Sequence, residues 1–307
     1  MSDPFNNACG IPVSGGTLTV AKAGPPVEQA GGVVLAIHGI AASHLAWATV
    51  ARELATTTSA SLLAPDLRGR GLSARLPGPY GIAAHIADLL AVLDFVGAES
   101  VVVAGHSMGA YVAARLAAEH PERVSALVLV DGGLAIPYPA DKDPDDVVQA
   151  VVGPSLARLG MTFAKAEDYL DMWRLHPAFA GPWDHDVEAY LTYDMVAAFD
   201  EERPDAVRSA TSQAAVRTDG RELLLDEATR TALTHVRAPV QLLVAERGVL
   251  DDDKPLLAPT VVEEFGAARP EVRVEKVGDT NHYSILLGPG AGARRVTDAI
   301  RSALDTA

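Results

Sequence analysis

Cysteine is nearly absent: Cys9 is the only one in 307 residues. No internal disulfide framework can form, and the fold must stand on its core. No motif activates Cys9, which reads as a spectator thiol. Basic residues are also scarce, with 25 Lys and Arg against 40 Asp and Glu and a formal net charge of −15. No Lys/Arg cluster supplies the positive face that nucleic acid requires, and anionic lipid surfaces would repel the chain. The acidity reads as a solubility feature. Long apolar runs are missing too, since nothing approaches the roughly 20 residues that span a bilayer. Met1-Ser2-Asp3-Pro4-Phe5-Asn6-Asn7 lacks the basic start and apolar run of a signal peptide. The expectation is a cytoplasmic protein acting on a small molecule, with no nucleic-acid or membrane partner and an oligomeric state the sequence does not reveal.

Hydrophobic residues make up 49% and charged residues 21%, an ordinary balance for a globular chain long enough to bury a large core. Short apolar runs recur at Val33–Ile37, Ser61–Ala64, Val101–Ala104, Ala126–Val130, Val240–Val244 and Val272–Val277. Such runs, too short for free helices, predict strands buried on both faces. Ahead of them, Gly15-Gly16 predicts a hairpin between Ile11–Ser14 and Thr17–Val20. Helical patterns lie between the runs, at Leu45–Leu54, Tyr111–Glu119 and Arg295–Leu304. The clearest is the stripe of Ile82, Ile86, Leu89, Leu90, Leu93 and Val96. This alternation predicts an α/β fold with a mostly parallel central sheet and helices on both faces. It breaks between about Gly132 and Arg237, a stretch richer in Asp, Pro and aromatics. The expected organisation is a core of residues 1–131 and 238–307 with a helical cap inserted at 132–237. Within that insertion, Asp141–Asp146 lacks calcium-loop spacing and reads as a solvated loop; no metal is expected.

Gly105-His106-Ser107-Met108-Gly109 carries the sharpest signal. It matches Gly-x-Ser-x-Gly, with a buried strand before it and a helical pattern after it. A serine at the apex of a strand-to-helix bend needs small residues two positions to either side. The following helix points its N-terminal N–H groups at the site, which favours negative charge there.

With these motifs the chain resembles the α/β-hydrolase fold family, in its serine esterase or lipase-like branch, over nearly its whole length. His38-Gly39-Ile40 resembles the family's oxyanion loop. That likeness implies that the backbone N–H groups of Ile40 and Met108 hold a developing oxyanion, while His38 braces the loop. Asp66-Leu67-Arg68-Gly69-Arg70-Gly71-Leu72-Ser73 resembles a further family signature and reads as a structural loop. The general base is expected after the last strand, where Asp279-Thr280-Asn281-His282-Tyr283 lies. His282 suits the task because imidazole titrates near neutrality. The family's usual acid is missing, since Gly248 stands where an Asp would follow Val240–Val244. Asp131, at the tip of the strand Ala126–Val130, is the first candidate, as in haloalkane-dehalogenase-like branches. Glu246 is the second, and Asp251, Asp252 or Asp253 the third.

The resemblance implies a cofactor-free serine hydrolase that forms an acyl-enzyme at Ser107. A carboxylic ester is the leading substrate bond, with thioester, lactone and amide beside it. C–C bond hydrolysis, acyl transfer and perhydrolysis fit the same residues, and a non-catalytic binding protein on this fold is the rival from another class. Epoxide hydrolases and dehalogenases place Asp at the elbow, so Ser107 argues against both. Trp173, His176, Phe179, Trp183, His185, Tyr190 and Tyr193 either line a pocket or pin the cap.

Overall fold

The computed structural model describes residues 3–5, 7–137, 141–199 and 202–306. Its strands are β1 (Asn7–Val13), β2 (Gly16–Ala23), β3 (Val33–Ile37), β4 (Ser61–Pro65), β5 (Val101–His106), β6 (Val124–Val130), β7 (Met195–Ala197), β8 (Val207–Ser209), β9 (Val240–Ala245) and β10 (Arg273–Val277). Its α-helices are α1 (Ala48–Thr57), α2 (Ile82–Val96), α3 (Met108–Glu119), α4 (Pro144–Leu159), α5 (Ala166–Arg174), α6 (His185–Tyr193), α7 (Gln213–Leu225), α8 (Glu227–His235), α9 (Pro259–Ala268) and α10 (Ala291–Leu304).

Eight strands form one sheet in the order β1-β2-β4-β3-β5-β6-β9-β10. The β1–β2 hairpin turns on Gly15 at φ +84°, a backbone state that glycine adopts without steric cost. β2 runs antiparallel to β4, and every pairing from β4 to β10 is parallel. Parallel strands need crossovers, and helices supply them. The central strands are therefore covered on both sides and read as unbroken apolar runs.

Alternation along each strand sorts these residues into two cores. Leu35, Ile37, Val103, Leu127 and Leu129 face α2, α3 and α8. Val34, Ala36, Val102, Val128 and Val130 face α1 and α10. The expected α/β architecture with a mostly parallel sheet is the one observed.

Helices α4 to α8 occupy the chain between β6 and β9. α8 packs along α3, which borders the sheet, so by packing it belongs with the helices of the sheet. The segment also holds a small antiparallel ladder, β7 with β8, where the sequence shows no strong strand run. Of the acidic run, Asp143 caps α4 by accepting from the Asp145 N–H at 2.8 Å, and Asp145 pairs with Arg221. Among the described residues, no helix is long and apolar enough to cross a membrane.

Candidate active site

Ser107 sits between β5 and α3 with φ 54° and ψ −124°, a strained conformation for a residue with a side chain. Its surroundings leave no room for relaxation. A Cβ on Gly105 would strike the Gly109 carbonyl, and one on Gly109 would strike the carbonyls of Ile37 and His38. Gly132 passes equally close to the Ser107 carbonyl. The Ser107 N–H donates to Val130 O at 3.0 Å, which ties the bend to the end of β6.

His282 follows β10 and is 6% exposed. Its Nδ1 lies 2.6 Å from Asp131 Oδ2 and its Nε2 lies 3.1 Å from Ser107 Oγ. A carboxylate only accepts, so Nδ1 carries the proton and Nε2 accepts from the Ser107 hydroxyl. Asp131 is fully buried. Its Oδ1 accepts from the Ala245 N–H at 3.1 Å, and its own N–H donates to Leu243 O at 2.8 Å. The end of β9 thus grips the carboxylate on its other side.

The other candidate acids lie elsewhere. Glu246 accepts from the Asp279 N–H at 2.9 Å and faces Lys276 at 3.2 Å. The Asp279 N–H bond, then Lys276, holds its carboxyl below the ordinary range. Asp251 pairs with Arg247 at 2.6 Å and accepts from Asn281 Nδ2 at 3.0 Å. Asp252 accepts through its main-chain carbonyl from the Gly248 N–H, and Asp253 borders a different cavity beside β9 and β10. Glu246 and Asp251 brace the loop that carries His282, and the hydrogen-bond partner of His282 Nδ1 is Asp131.

Two supports of that histidine carry little sequence signal of their own. Asn281 Oδ1 accepts from the N–H groups of Tyr283 and Ser284, each at 2.9 Å, and so shapes the turn. His106 Nε2 donates to His282 O at 2.8 Å, its ring centre 4.7 Å from that of His282. Burial, then the adjacent His282, drives His106 down to about 3, so it stays neutral and serves as a fixed donor. Its place inside the elbow motif was the available clue.

The loop of Ile40 is fixed in a similar way. His38 Nδ1 donates to Gly39 O at 2.8 Å and its Nε2 accepts from the Leu67 N–H at 3.0 Å. Burial lowers the pKa of His38 to about 3, consistent with a neutral brace. Holding Gly39 O also holds the Ile40 N–H, which points the opposite way across the same planar peptide. Arg70 Nε donates to Ile40 O at 2.9 Å. The Met108 N–H begins α3, where it has no partner within the helix. Ile40 and Met108 both border a cavity of about 150 Å³ that also contains Ser107 and His282.

The signature loop after β4 reaches the segment between β6 and β9. Asp66 accepts from the N–H and Nδ1 of His44, each at 2.9 Å, and from the hydroxyl of Tyr193 at 2.6 Å. Arg68 makes a two-pronged pair with Asp88 at 2.6 and 3.0 Å. Arg70 meets Asp219 of α7 at 2.5 Å, both fully buried. Burial alone would raise the Asp219 pKa, but Arg70 and then His85 outweigh it and hold it down to about 2.

Most aromatics of the segment between β6 and β9 act as pins. Trp183 donates to Phe179 O at 2.8 Å, Phe179 packs on Tyr283 at 4.8 Å, and Tyr190 is buried. Trp173 does both, packing on Phe179 and bordering the cavity.

A model of the alpha/beta hydrolase fold matches residues 32–289. Lipase LipV of Mycobacterium tuberculosis is 43% identical over 103 residues, which are 34% of this chain and 38% of that protein. Epoxide hydrolase B of the same organism is 35% identical over 125 residues, 40% of this chain and 34% of that protein. The chain therefore spans only about a third of these relatives. N-formylmaleamate deformylase of Pseudomonas putida is 29% identical over 260 residues, 82% of each chain. Among solved structures, E-2-(acetamidomethylene)succinate hydrolase has a TM-score of 0.75 at 19% identity, covering 97% of this chain and 99% of that one. That last likeness is one of fold. The chain belongs to the alpha/beta hydrolase fold family.

Proposed function

We propose that this chain is a serine hydrolase that cleaves a carboxylic ester or a related acyl bond (thioester, lactone or amide) through an acyl-enzyme. The observation that carries this reading is the 3.1 Å approach of Ser107 Oγ to His282 Nε2, with His282 Nδ1 on Asp131. Relatives named lipase, epoxide hydrolase and deformylase support hydrolysis in general, and the serine at the bend supports the covalent route.

In this reading Ser107 Oγ attacks the carbonyl carbon while its proton passes to His282 Nε2. The carbonyl π pair moves onto oxygen, and the N–H groups of Ile40 and Met108 receive that charge. One such donor is worth about 3 kcal/mol in a transition state. Collapse expels the leaving group, which takes the proton from His282. Water, deprotonated by His282, then attacks the acyl carbon and releases Ser107 with its proton restored. Asp131 stabilises the imidazolium and keeps Nε2 turned toward the serine. α4, α5 and α7 form the cap over this site, contributing Arg158, Trp173 and Leu223 to its wall.

A fluorophosphonate probe tests the reading. Labelling of Ser107, located by peptide mass analysis and abolished in Ser107→Ala, is expected. Folded protein that takes no label would mark a binding module that keeps the fold without the chemistry.

A further inference from the structure

The cavity above Ser107 is apolar on most sides but contains one full charge. α4 presents Val151, Ser155 and Arg158 to it, spaced four and three residues apart and hence on one helix face. Among the described residues that border the cavity there is no Asp, Glu or Lys. In a chain of net charge −15, a lone guanidinium facing the cavity calls for a physical reason.

Arg158 is steered from behind and not neutralised tightly. Its guanidinium carbon lies 4.9 Å above the Trp173 ring. Its Nη1 is 3.5 Å from the Tyr169 hydroxyl and 3.4 Å from Asp194 Oδ2. Both contacts are long for charge-assisted bonds. Asp194 is engaged elsewhere, with Oδ2 accepting from Tyr169 at 2.6 Å and Oδ1 from Thr211 at 3.2 Å. The aspartate does not border the cavity, whereas the arginine does. A guanidinium held this way keeps donors for a planar anion, and a carboxylate matches its fork.

We propose that Arg158 receives a carboxylate of the substrate, so that the bond opened at Ser107 belongs to a small acyl compound with a second, anionic end. The proposal rests on the serine-hydrolase reading and names the substrate class of that same site. The size of the cavity agrees, since about 150 Å³ suits a ligand of roughly benzene size. A short dicarboxylate half-ester fits that space.

Calorimetric titration of the Ser107→Ala protein measures binding without turnover. The ligands are monomethyl succinate and monomethyl glutarate, each against its neutral dimethyl ester. The half-esters are expected to bind about tenfold tighter or more, as charge-assisted bonds allow. Adding Arg158→Gln removes the preference, and adding Arg158→Lys, which keeps charge without the fork, retains part of it. Equal affinity for half-ester and diester, or a preference that survives Arg158→Gln, overturns the proposal. The comparison within Ser107→Ala needs no Arg158 variant, so a misfolded variant does not shelter it. Failure of the hydrolase reading shows separately, as wild-type protein that takes no fluorophosphonate label.

Discussion

Asp131 Oδ2 and His282 Nδ1 lie 2.6 Å apart although 151 positions separate them in the chain. The sheet order explains the meeting: β6 and β10 flank β9, and all three end at the same edge because they are parallel. Asp131 leaves the tip of β6, His282 leaves the loop beyond β10, and the Ala245 N–H at the end of β9 holds the carboxylate between them. Asp131→Asn should therefore leave the fold intact and lower kcat/KM for a p-nitrophenyl ester by roughly 10⁴-fold, because an amide allows the wrong imidazole tautomer. Activity within tenfold of the parent would remove Asp131 from the proposed role.

Glu246→Gln is expected to behave differently. Its carboxylate serves the Asp279 N–H and Lys276, and a neutral amide oxygen can still accept from that N–H. Turnover should stay within a few-fold of the parent at neutral pH. A loss comparable to that of Asp131→Asn, measured in the same ester assay, would make Glu246 the acid.

Among the proposed site residues, those at strand ends carry a signal in the sequence. Ser107 announced itself through glycines that the bend requires, and His282 through its place after the last apolar run. Asp131 competed with Glu246 on paper because both follow buried strands. What separated them is register, set by pairings such as Leu129 with Leu242 in the sheet, which no local pattern encodes. The segment between β6 and β9 shows in the sequence only as a break in alternation. Its short ladder of β7 and β8 has too few residues to show a period. Arg158 looked like any helical arginine, since its meaning comes from which wall of the cavity its helix forms. α8, counted with the inserted segment by position, packs along α3 beside the sheet.

Acid should weaken the fold well above the range where carboxylates titrate. Burial lowers His38 and His106 from an ordinary 6.5 to about 3. Below 6.5 the unfolded chain takes up these protons and the native one does not. Their contribution to stability is thus complete above about 6.5 and is lost as the pH falls toward 3. Each histidine adds a slope of about 1.4 kcal/mol per pH unit inside that window. Urea midpoints at pH 7, 6 and 5 should fall in sequence, and His106→Asn should make the fall shallower. Midpoints that do not move across this range would contradict the neutral, buried state of both rings.

The buried Arg70–Asp219 pair predicts that stability and turnover can be separated. Both side chains are fully buried at 2.5 Å, so Asp219→Leu leaves a cation without its partner and should cost about 3–5 kcal/mol in urea unfolding. Replacing both, as Arg70→Met with Asp219→Leu, removes the stranded charge and should recover much of that loss. Turnover should not recover with it. Arg70 Nε also donates to Ile40 O, and methionine cannot hold the residue whose own N–H is proposed to meet the oxyanion. The double variant is expected to unfold at a urea concentration above that of Asp219→Leu alone while its kcat stays well below the parent's. A double variant with parental kcat would show that the loop keeps its shape without Arg70, and a single variant as stable as the parent would show that the pair contributes nothing to the fold.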